Sequence, residues 1–135
     1  MFNTVLFPID HSREAREAAD AVVNIVQKYG SRLVLLSVVE ETADESPGSD
    51  AMTSPEAVAQ LLKSAQSLFA EQGIKADTIE RTGKPPFTIC DVADEIEADL
   101  IVMGCRGLGL TDEGATDSVT NRVINLSPCP VLIVP

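Results

Sequence analysis

The stretch Asp99-Leu100-Ile101-Val102-Met103-Gly104-Cys105-Arg106-Gly107-Leu108-Gly109 passes from an unbroken apolar run into a glycine-containing loop. A short run without polar alternation is the form of a strand covered on both faces, since every side chain then meets protein whichever way it points. The loop leads on to a helix that opens at Asp117-Ser118. Strand, loop and helix in that order form the unit from which parallel α/β sheets are wound.

The alternation extends outward from there. Residues 3–9 (NTVLFPI) read as a strand ending at Asp10, and residues 32–39 (RLVLLSVV) as a central strand. Residues 75–82 alternate weakly, which suits a strand nearer an edge, and residues 131–134 (VLIV) close the chain. Ser12 is placed to cap a first helix, with Glu14 and Glu17 near its positive end. Ala15, Ala18, Ala19, Val22, Val26 and Tyr29 mark one face of it, and Gly30 follows its end. Ser54 and Pro55 open a second helix whose apolar face is Val58, Leu61, Leu62, Ala65, Leu68 and Phe69, ended by Gly73. A third follows Pro85-Pro86 and buries Ile89, Cys90, Ala93 and Ile96; a fourth covers residues 118–126 and stops before Ser127-Pro128. Residues 41–53 read as an acidic loop rich in Ser and broken by Gly and Pro. Five strands and four helices predict one doubly wound parallel α/β domain over residues 1–135, with right-handed crossovers.

Composition narrows the function. A chain of 135 residues buries roughly two-thirds of its unfolded surface, enough for a core without disulfides or a structural metal. With 21 acidic against 10 basic residues the net charge is −11, which leaves no basic footprint for nucleic acid or for an anionic membrane surface. No apolar run is long enough to span a bilayer, and residues 1–10 do not have the form of a signal peptide. The three cysteines, Cys90, Cys105 and Cys129, form no C-x-x-C pair, and His11 is the lone histidine, so no zinc set is present. Reduced thiols in a cytoplasm follow from that usage. Cys105 follows one strand and Cys129 precedes its parallel neighbour, so the two fall at opposite ends of the sheet, too far apart for a disulfide. No Ser/His/Asp or Cys/His set is visible; no catalytic residue and no metal ligand is assigned.

The glycine loop carries the chemistry. Glycines let backbone amides turn toward a ligand, and a helix N-terminus adds partial positive charge, so strand, loop and helix together make an anion site. Its spacing, G-x-x-G-x-G, matches neither the dinucleotide fingerprint nor a phosphate-binding Walker A loop. Spacing alone leaves both a phosphate site and a plain glycine-rich loop open.

The chain resembles the universal stress proteins along its whole length. The resemblance rests on VLFPIDHS at the first strand, LLSVVE at the second, the turn Gly83-Lys84-Pro85, the DLIVMG run, and the closing Pro128-Cys129-Pro130-Val131-Leu132-Ile133-Val134-Pro135. It implies a Rossmann-like sheet of the adenine nucleotide alpha hydrolase type in the order 3-2-1-4-5, dimerisation through the last strand and, in one branch, ATP binding. That branch carries G-x2-G-x9-G-[ST]. Gly104, Gly107 and Ser118 match it, while Asp117 stands at the third glycine. The implied contacts are Pro8, Asp10, Val38, Met103, Gly104, Arg106, Gly107, Ser118 and Val119, with ATP or AMP as ligand and magnesium as its companion.

Several positions keep two readings. Asp10 lines the nucleotide crevice or caps the following helix; Val38 packs on adenine or is plain core. Arg106 is preferred over Arg122 as the cation at the phosphate end. Asp117 repels phosphate, bridges to it through a metal ion, or caps its own helix with the amides a phosphate would take. The function implied is therefore a cytoplasmic nucleotide-binding stress protein with at most slow ATP hydrolysis. The alternative is a nucleotide-free dimeric interaction module acting through protein partners or phosphorylation. A charge at Ile133 is expected to break the dimer.

Overall fold

The computed structural model describes residues 2–9, 13–40, 55–104 and 119–134. The elements run β1 (Thr4–Pro8), α1 (Arg13–Tyr29), β2 (Arg32–Glu40), α2 (Pro55–Glu71), β3 (Ala76–Gly83), α3 (Pro85–Glu95), β4 (Leu100–Gly104), α4 (Val119–Leu126) and β5 (Val131–Val134). All strands pair in parallel, in the order β3-β2-β1-β4-β5. The doubly wound sheet expected from the sequence is the one observed, with strand bounds shifted by a residue or so.

Two apolar layers explain the unbroken runs. Val5, Phe7, Leu33, Leu35, Leu100 and Val102 face α1 and α2, where they meet Ala18, Val22, Val58, Leu62 and Phe69. Their sequence neighbours Leu6, Val34, Leu36, Ile101 and Met103 face the other way, onto Ile89, Cys90, Val92, Ala93 and Val123 of α3 and α4. Successive side chains on a strand point to opposite faces, so a strand covered on both sides must be apolar at every position. β3, at the edge, alternates instead: only Ala76 on it is fully buried.

The helix ends follow local chemistry. Gly30 adopts φ 64, and its N–H and that of Ser31 both reach the Val26 carbonyl, at 2.8 and 3.2 Å, the left-handed ending that glycine adopts without steric cost. At the Gly83-Lys84-Pro85 turn a Cβ on Gly83 would sit 2.6 Å from Thr88 Oγ1, so that turn has room only for glycine. Pro85 fills the first turn of α3, where no N–H is needed.

Two expected core positions are corrected, and a third sits at the margin. Leu68 is 61% exposed: the buried stripe of α2 runs through Val58, Leu62 and Phe69, and Leu68 lies about 100° around the helix from Phe69. Tyr29 is 40% exposed and packs edge-on against Phe2, with ring centroids 5.3 Å apart, rather than entering the core. Ile96 lies just past α3 as its C-cap and packs half-buried against the α3/α4 cluster. Among the described residues no helix is long and apolar enough to cross a membrane.

Candidate functional site

The sheet order places the topological switch between β1 and β4, since the chain winds outward from β1 in one direction and from β4 in the other. Crevices for ligands form beyond the carboxyl ends of strands at such a point. Here the sequence adds a local cause for the opening. The Asn3 carbonyl accepts from Arg32 N, and Ile9 N donates to the Leu36 carbonyl, both at 2.8 Å, so odd-numbered residues of β1 direct their backbone groups to β2. Even-numbered residues direct theirs to β4, as the Thr4 carbonyl does in accepting from Asp99 N at 2.8 Å. Pro8 is even-numbered, and proline has no N–H to give.

The pairing reflects this. Toward β2 the ladder runs from Thr4–Arg32 to Pro8–Leu36, whereas toward β4 it holds only Val5–Leu100 and Leu6–Ile101. Ile101 N donates to the Pro130 carbonyl on the β5 side. By the same alternation the backbone groups of Val102 and Gly104 face β1: the Leu6–Ile101 rung takes up the Val102 N–H, and the Val102 carbonyl and the Gly104 N–H lie past it. The Val102 carbonyl thus faces Pro8, which has no N–H to give it.

Several of the expected contacts share one face of the sheet. Met103 is 7% exposed, and Val38 and Val119 pack against the same cluster on the α3/α4 side. Three of the expected contacts, on β2, β4 and α4, therefore share one apolar layer, suited to the flat face of a base. Thr120 Oγ1 donates to the Gly104 carbonyl at 3.1 Å, which ties the start of α4 to the end of β4. Pro8, Val38, Met103, Gly104 and Val119 are placed by the structure; Asp10, Arg106, Gly107 and Ser118 lie outside the described residues, as do His11, Cys105 and Asp117.

Two residues that sequence reasoning passed over act on this seam. One is Thr120, whose polar side chain stands among apolar neighbours of a helix and so carried a legible signal. The other is Asp99, whose Oδ2 accepts from Asn3 N at 2.8 Å and from Thr4 N at 3.0 Å. It closes the same β1–β4 seam at its amino end. Nothing in spacing distinguishes that role from an ordinary loop aspartate.

The titratable groups described do not form a reactive centre. Burial pushes the thiols of both Cys90 and Cys129 above the usual range, which keeps them protonated at neutral pH. Arg81 pairs with Glu95 through two hydrogen bonds of 3.2 and 2.9 Å at the β3 edge, two strands from the switch point. Their hydrogen bond holds the Glu95 carboxyl below its ordinary value and raises the guanidinium. Among the described residues no three His, Cys, Asp or Glu side chains cluster as a metal site.

Comparison with known proteins agrees with this architecture. The profile of the universal stress protein family matches residues 1–135. A universal stress protein of Synechocystis is 63% identical over 139 aligned residues, covering 100% of this chain and 87% of the relative. Among solved structures, the universal stress protein UspA from Lactobacillus plantarum superposes with TM-score 0.81 at 30% identity, over 99% of this chain and 98% of that one. A universal stress protein solved in complex with cAMP gives TM-score 0.79 at 25% identity, over 99% and 97% of the two chains.

Proposed function

The chain belongs to the universal stress protein family, and from that premise we propose that it binds an adenine nucleotide, ATP or AMP, at the carboxyl ends of β1 and β4. The observation that carries this reading is the early end of the β1–β4 ladder at Leu6–Ile101. Beyond it stand the Val102 carbonyl and the Gly104 N–H for a polar edge, and Val38, Met103 and Val119 for an apolar face. The family relative that holds cAMP supports an adenine ligand. Gly107 and Ser118 complete the proposed contacts from their positions in the family motif, with Asp10 as the family's crevice aspartate and Arg106 as the favoured cation at the phosphate end. Magnesium enters chelated by the phosphates, which also lessens the repulsion between a polyanion and a chain of net charge −11.

The role proposed is cytoplasmic nucleotide sensing in a stress response, with at most slow hydrolysis. Millimolar ATP with magnesium is expected to raise the melting temperature and to give heat in titration calorimetry. Absence of both sinks the reading. In that event the nucleotide-free interaction module takes its place, which Asp117 at the third glycine position favours.

The proposed assembly is a homodimer along β5. As the terminal strand of the sheet, β5 carries an unpaired edge, and Leu132 on it, pointing away from the α3/α4 layer that takes Val131 and Ile133, is 37% exposed. Pro130 and Pro135 bracket the strand, which favours closed two-fold pairing over open stacking. Ile133 packs against the α3/α4 cluster, so a charge there would disturb the core as well as the contact. Leu132→Lys is the cleaner probe: light scattering at tens of micromolar is expected to show a dimer for the native chain and a monomer for the variant. A native monomer refutes the assembly.

A further inference from the structure

We propose that Thr120 is a positioning residue for the nucleotide site, holding the Gly104 peptide and the first turn of α4 as one unit through its hydroxyl. The inference rests on the nucleotide reading above and adds a residue to it. Thr120 is only 7% exposed and, with Ser37, is one of the two buried polar side chains among the described residues. Burying a hydroxyl is unfavourable unless it is hydrogen-bonded, and an isosteric valine would pack beside Val123 without that cost. Threonine is also a mediocre helix former. Neither the core nor the helix therefore calls for a hydroxyl at this position.

What the hydroxyl does is reach 3.1 Å to the carbonyl of Gly104, across 16 residues of sequence. Gly104 is the last residue of β4, past the last rung of the β1–β4 ladder. A glycine there has no side chain to restrict its dihedrals, so its peptide needs an outside restraint. Without a donor, its carbonyl would be free to present a partial negative charge to an anionic ligand. Thr120 takes up that oxygen. Because Thr120 is covalently next to Val119, the same bond also sets the distance between two proposed contacts, Gly104 and Val119. A site assembled before the ligand arrives does not spend binding energy on ordering itself.

The test compares Thr120→Val, which keeps the shape and loses the hydroxyl, with Thr120→Ser, which keeps the hydroxyl and loses the methyl. Calorimetry with AMP and with ATP plus magnesium is run well below the melting temperature of every variant. Thr120→Val is expected to weaken both nucleotides by about 5- to 10-fold, the worth of one hydrogen bond, while Thr120→Ser stays within about twofold. Valine binding as tightly as the native chain, or serine failing as badly as valine, overturns the proposal. The ¹³C shift of the Gly104 carbonyl in the ligand-free protein is read in parallel; it is expected to move in the valine variant and hold in the serine variant. If the native chain binds neither nucleotide, the functional reading falls, and an unmoved Gly104 carbonyl in Thr120→Val then separately refutes the tether.

Discussion

β1 has two neighbours and treats them differently. Toward β2 it pairs along its whole length, from Thr4 to Pro8, while toward β4 it pairs at Val5 and Leu6 alone. The side chains do not explain the contrast, because Val5, Leu6 and Phe7 are buried on both layers alike. The backbone does. Asp99 stitches the β4 side at its amino end by accepting from Asn3 N and Thr4 N, and Pro8 leaves the carboxyl end without a donor. One seam is continuous and holds the fold together; the other is fastened at one end and open at the other. The proposed binding crevice is a hydrogen-bond ladder stopped early.

That contrast can be broken at three points. Leu6 pairs with Val34 on one side and Ile101 on the other and is wholly buried, so Leu6→Ala should weaken both seams. Chemical denaturation is expected to show a loss of about 2–5 kcal/mol, the usual range for a truncated core leucine. A loss below 1 kcal/mol would mean that the sheet's centre is not where its stability lies.

Asp99→Ala touches the closed end of one seam. It removes an acceptor from two backbone donors, one of them part-buried, and is expected to cost about 1–2 kcal/mol. Amide exchange should quicken at Asn3 and Thr4 and stay unchanged at Val34 and Leu36 on the continuous seam. Equal quickening on both seams would show that they are not independent.

Pro8→Ala touches the open end and should sharpen the comparison most while changing stability least. The new amide at position 8 faces β4, where the ladder now stops. The added hydrogen bond and the looser unfolded chain oppose each other, leaving stability within about 1 kcal/mol of the native value. If the ladder zips further, that amide becomes protected from exchange and nucleotide affinity falls by about fivefold or more. An unprotected amide with unchanged affinity would remove proline from the account of how the crevice opens.

Much of this was legible before any coordinates. Continuous runs at residues 32–39 and 99–103 marked strands buried on both faces, and the weak alternation of residues 75–82 marked the edge. Gly30 and Pro85 marked helix boundaries, because their effects are local and belong to the residue itself. Leu68 and Tyr29 were misplaced for the opposite reason. Each falls near the margin of an apolar stripe, where only the neighbouring element decides between core and solvent.

The candidate site divides the same way. Pro8, Val38, Met103, Gly104 and Val119 could be named from the resemblance to the family, yet why the seam beside them opens could not. A proline's missing N–H matters only when it points at a neighbour that needs it, and that direction follows from the parity of β1 between β2 and β4. Asp99 and Thr120 act across 95 and 16 residues, distances at which spacing carries no information. The sequence by itself determined the elements, the two-sided burial of the central strands and the excess of negative charge, because periodicity, side-chain chemistry and composition are properties of the chain. Which seam opens, and which hydroxyl and carboxylate hold its ends, was decided only by tertiary structure, because a hydrogen bond needs donor and acceptor brought together from distant parts of the chain.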